Sequence, residues 1–239
     1  PPTVDGLRRS LALAVNTADA LDSSGADVVV LARAGQDLSR YGIRWSHLGF
    51  AYKQPGMGDD GVEHQTWRVL HKLNTCGTDS AYLYRQGLGD FFSDDPFRYE
   101  AIAVPLRPDA AARVLAVVRN NDAARRLQEP AYSMVACPWA TQYQQSNQWL
   151  IETLAYAMAP QADRRDRAQA WLRLNGYTPA MLHIGHFERL GARITRANIA
   201  FDDHPDAQRF NSEIETATAD SVLNWLRRMD LAGAAFTVR

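Results

Sequence analysis

Two periods of apolar residues alternate along the chain, and together they predict an α+β fold. Trp149, Leu150, Ile151, Leu154, Ala157 and Met158 recur at three- and four-residue steps and predict an amphipathic helix headed by Ser146. A serine at that place suits an N-cap, its hydroxyl taking up an orphan backbone N–H. Helical spacing also predicts helices over residues 4–21, 81–88, 108–120, 163–174, 180–191 and 218–229. Short apolar or alternating runs predict strands over residues 27–33, 44–53, 65–74 and 99–106, with strand-like pieces at 131–136 and 192–201.

The strands at 44–53 and 65–74 flank the glycine-rich turn Pro55-Gly-Met-Gly-Asp-Asp-Gly61 and read as a hairpin centred near Asp59. On that register His47 pairs with His71, with Cβ atoms about 5 Å apart. Alternation sets Trp67, Val69, His71 and Leu73 on one face, with Trp45, His47, Gly49 and Ala51 on the row beside it. A buried imidazole needs a hydrogen-bonding partner, so a histidine pair on a packed face predicts a polar pocket there.

Composition narrows the function classes. The 239 residues are 46% apolar with a net charge of −1, and the arginines are scattered, so no basic footprint for nucleic acid or an anionic membrane is present. No apolar run approaches the roughly 20 residues of a membrane span. The chain opens Pro1-Pro2-Thr3, which fits a secreted protein after signal removal or a trimmed chain. Cys76 and Cys137 permit one disulfide and match no metal or redox spacing. His183-Ile-Gly-His186 lacks a third ligand, and Asp202-Asp-His-Pro-Asp206 departs from a calcium-loop pattern. No repeat or linker divides the chain, which reads as one domain over residues 1–239 with a core at 25–158 and a mainly helical extension at 159–239.

The order of these features carries a resemblance. Ser46-His47-Leu-Gly-Phe50 on one strand, His71 on the next, Pro130-Ala-Tyr132, and Gln144-Gln-Ser-Asn-Gln-Trp149 at a helix start resemble the circularly permuted branch of the NlpC/p60 papain-like superfamily. The whole chain also resembles an uncharacterised family of secreted bacterial proteins assigned to that superfamily. The resemblance implies an antiparallel sheet packed on helices and a cofactor-free hydrolase acting on an amide bond, with cell-wall peptide as substrate class and a periplasmic or secreted location. It implies residue 146 as nucleophile, His47 as general base and His71 as the residue orienting it. The family's nucleophile is cysteine. Serine at 146 leaves three readings open: a Ser-His-His hydrolase, an inactive descendant serving as a binding or scaffold protein, or a cysteine replaced by serine. An ester or lipid acyl hydrolase or acyltransferase is the alternative chemistry.

Overall fold

The computed structural model describes residues 3–58, 61–93, 96–184 and 198–239, with backbone alone for 209 and 210. It is a mixed α+β protein whose antiparallel sheet packs between helices. Helix α1 (Val4–Ser24) starts on Thr3, whose hydroxyl accepts from the Gly6 N–H, and stops where Gly25 turns left-handed at φ 65°. Strands β1 (Val28–Ala34), β2 (His47–Met57), β3 (Glu63–Asn74) and β4 (Ala81–Gly87) follow. After the short α2 (Leu88–Phe92) come β5 (Arg98–Pro105), α3 (Pro108–Val118), α4 (Asn121–Arg125), α5 (Ser146–Met158) and α6 (Arg165–Leu174). The chain continues through β6 (Ala180–His183), α7 (Asp206–Phe210), β7 (Glu213–Thr216), α8 (Ala219–Arg228) and β8 (Phe236–Val238). The main sheet runs β4-β3-β2-β1-β5-β8, and β6 pairs with β7 in a small second sheet.

Both faces of the main sheet are covered, and strand alternation sorts the residues between them. Val28, Val30, Ala32, Leu48, Phe50, Tyr52 and Leu70 pack with α3, α5 and α8. Val29, Leu31, Ala51, Trp67, Val69, Ala101 and Ala103 pack under α1 and α2. Phe50 meets Trp149 edge-to-face at 6.0 Å, joining β2 to α5.

Several expected elements come out differently. Residues 81–88 are mostly strand: all of Ala81-Tyr-Leu-Tyr-Arg-Gln-Gly87 pairs with β3 from Asn74 to Arg68, and ladder pairing overrides the helical spacing of an aromatic-rich segment. Residues 180–183 form β6, paired with β7, where a helix is expected; the expected segment continues outside the described residues, as does most of the strand-like piece at 192–201. Residues 131–136 contribute a single bridge, Ala131 with Ser80.

The hairpin register is shifted by two. Phe50 lies opposite Leu70 and Met57 opposite Glu63, so Gly49 rather than His47 takes the position facing His71. An even shift preserves the face, and both histidines still point to the same side. A Cβ on Gly49 would lie 2.4 Å from Val69 Cγ1 and 3.2 Å from His71 Cβ. Gly49→Ala is therefore expected to cost about 1–3 kcal/mol through overpacking; a lower urea midpoint at unchanged slope is the check.

Candidate functional site

The β2–β3 ladder runs only from Met57 and Glu63 to Phe50 and Leu70. Beyond it, His47 to Gly49 continue along β1, and His71 to Asn74 continue along β4. The strands fork, and the site is built at the fork. On the side of α2, His47 Nε2 and His71 Nδ1 are 2.8 Å apart, and His71 Nε2 lies 2.8 Å from Gln86 Oε1. Phe91 packs on both rings.

With both rings neutral and the Gln86 amide oxygen toward His71, the relay sets the tautomers. Gln86 Oε1 can only accept, so His71 Nε2 carries a hydrogen and its Nδ1 holds a lone pair. His47 Nε2–H donates to that lone pair, which leaves His47 Nδ1 bare. Burial holds the His47 pKa well below the ordinary 6.5, with the Arg33 guanidinium and His71 adding to the effect. Arg33 is the cross-strand partner of His47 and anchors on the Phe91 carbonyl. His47 is thus a neutral base at pH 7, and 9% of its surface remains exposed.

Helix α5 arrives from the other layer. Its Asn147 Oδ1 accepts from the Leu48 N–H at 3.1 Å, so His47 and Ser146 each stand one residue from a direct bond between strand and helix. Ser146 is the first helical residue and Gln145 is the N-cap, so the hydroxyl does not perform the capping expected of it. The Gln145 side chain makes no cap bond either, and the Trp149 N–H is bonded back to the Gln145 carbonyl at 3.1 Å, which leaves the N–H groups of residues 146–148 without a bond inside the helix. Tyr132 is buried near Ser146; burial raises its phenol's pKa and the neighbouring Ser146 side chain opposes the rise. Among the described residues, no hydrogen bond joins Ser146 to His47 or His71.

The expected amphipathic character of α5 is half right. Its apolar face is in the core, but Asn147, Gln148, Glu152 and Thr153 are buried too. Glu152, fully buried, accepts from Gln144 (2.6 Å), Gln148 (3.1 Å), Gln169 (2.8 Å) and Arg165 (2.8 and 3.2 Å). Sequence reading missed this network and Gln86. The clustering of amides from Gln142 to Gln148 is its only signal in the sequence, and Gln86 joins the histidine face only once residues 81–87 are recognised as a strand.

Cys76 is exposed, Cys137 is buried, and the two are not bonded; burial pushes the Cys137 thiol up to about 11. His183 is described, but His186 lies outside the described residues. Asp203 caps the Cys137 N–H at 2.8 Å and its other oxygen is 2.9 Å from His204 Nδ1. Among the described residues no group of three or more His, Cys, Asp or Glu is placed to hold a metal, and no helix is long and apolar enough to cross a membrane.

Residues 20–226, which include the fork, α5 and the Glu152 network, match the family described as an uncharacterized protein conserved in bacteria (DUF2145). The chain belongs to that family. No curated protein and no solved structure matches it.

Proposed function

We propose that this protein is a papain-like hydrolase of the circularly permuted NlpC/p60 kind, with residue 146 attacking an amide carbonyl. The observation that carries the reading is the His47–His71–Gln86 relay, which ends in a bare Nδ1 on a neutral, desolvated histidine. In the reaction His47 Nδ1 removes the proton of the residue 146 side chain as its oxygen bonds to the carbonyl carbon. The resulting oxyanion takes hydrogen bonds from N–H groups of the first turn of α5, where the helix dipole also favours negative charge. His47 then returns the proton to the departing amine. Water, deprotonated by the same histidine, releases the acyl group and restores residue 146. His71 and Gln86 hold the ring and spread the charge of the imidazolium.

The Asn147–Leu48 bond supports this assignment, because it ties the head of α5 to the residue after His47. Rotation of the Ser146 side chain toward the fork is the closing step in this reading. Cell-wall peptide is the substrate class, and a periplasmic or secreted setting goes with it. The test is to incubate the protein and its Ser146→Cys form with soluble cell-wall peptide fragments and with simple acyl esters, reading products by mass. Amide cleavage by either form, lost in His47→Gln, supports the reading. Ester cleavage alone points to the acyl-hydrolase alternative, and no cleavage by both forms with no covalent acyl adduct overturns it.

A further inference from the structure

Lys72 follows His71 on β3 and therefore points to the opposite face, toward α5. It is fully buried, yet its ammonium faces carbonyl oxygens more closely than any carboxylate. Nζ donates to the Gln144 carbonyl (2.9 Å), the Gln144 side-chain oxygen (2.8 Å) and the Glu129 carbonyl (2.6 Å). These bonds use all three of its hydrogens. Burial pulls its pKa down to about 7, a cost that apolar packing of the same volume would avoid. The Gln144 amide nitrogen in turn donates to the Leu127 carbonyl (2.8 Å) and to Glu152 (2.6 Å), and its backbone N–H donates to the Ala131 carbonyl (2.9 Å). Gln145 is held at 2.7 Å by the Thr216 hydroxyl.

We propose that Lys72 is a positioning residue for residue 146: it fastens the backbone two residues before the helix start to the strand that carries His71. Strand β3 then sets both halves of the site, the histidine on one face and the approach to the nucleophile on the other. The inference rests on the hydrolase reading and deepens it. Lys72 has no free proton and no access to a substrate, so it acts only through the place it gives residue 146.

The experiment compares Ser146→Cys with Ser146→Cys/Lys72→Met under limiting iodoacetamide, reading by peptide mass the rate at position 146 against two internal references. Exposed Cys76 reports ordinary thiol reactivity and buried Cys137 reports unfolding. Lys72→Met is expected to lower the ratio of position 146 to Cys76 on the order of tenfold or more, with Cys137 still protected, because small displacements of a reacting group are costly. An unchanged ratio, or a loss that appears only as Cys137 becomes reactive, overturns the positioning role and leaves the hydrolase reading standing. A Ser146→Cys thiol no faster than Cys76 when Lys72 is intact overturns both. If Lys72→Met does not accumulate as folded protein, Lys72→Gln, which keeps an amide donor for the Gln144 carbonyl, carries the same comparison.

Discussion

Replacing His47 by glutamine is expected to lower turnover on the order of 10²–10⁴-fold, the range a positioned general base supplies. The loss should be in kcat, because no substrate contact is assigned to that ring. The parent protein should keep its activity at pH values below 6.5, since burial and Arg33 hold the His47 proton off until the solution is more acidic. Linkage gives the same histidine a stability signature. The unfolded chain binds a proton at the ordinary 6.5, whereas the folded chain binds it only at lower pH, so acid favours unfolding in the window between the two. Urea midpoints followed downward from pH 7 should fall through that window, and the His47→Gln variant should lack that part of the fall. A flat comparison would remove the charge-state argument on which the base assignment stands.

Glu152→Leu is expected to be the most destabilising single change at the site. It removes the acceptor of five hydrogen bonds and leaves the Arg165 guanidinium, whose side chain is only 9% exposed, without its carboxylate. Breaking a buried pair from one side costs about 3–5 kcal/mol. Arg165 also donates to the carbonyls of residues 140, 141 and 143, so its displacement loosens the whole approach to Ser146. Adding Arg165→Met should recover part of the loss, since no buried charge is then unpaired. A cost for Glu152→Leu of no more than about 1 kcal/mol, the scale of a single ordinary hydrogen bond, would mean that the carboxylate is not the hub its contacts describe.

The strands that carry the histidines were legible because alternation is a local property. Trp67, Val69 and His71 share a face with Gly49 and Ala51 whichever even register the hairpin takes, so a shift of two moves His47 out of the position opposite His71 but keeps both histidines on one face. The strand at 81–87 was not legible. Leu83 and Arg85 follow Ala81 on one face while Tyr82, Tyr84 and Gln86 follow the other, but the segment also fits a helical step, and only the non-local ladder with β3 decides. For α5 the apolar face could be read from the period. That its polar face is buried could not, because the burial depends on Gln169 and Arg165 returning from α6. Ser146 as a cap followed a sound rule, and Gln145 takes that position instead.

The most direct measurement of the central claim is the order in which thiols react in the Ser146→Cys protein. Treated with limiting iodoacetamide near neutral pH, the introduced thiol should be modified ahead of exposed Cys76, because the head of α5 and the bare Nδ1 of His47 both favour its thiolate. His47→Gln should abolish that lead while Cys137 stays unmodified. Modification of Cys76 first, with the introduced thiol no more reactive than an ordinary one, would contradict the assignment of residue 146 as a nucleophile.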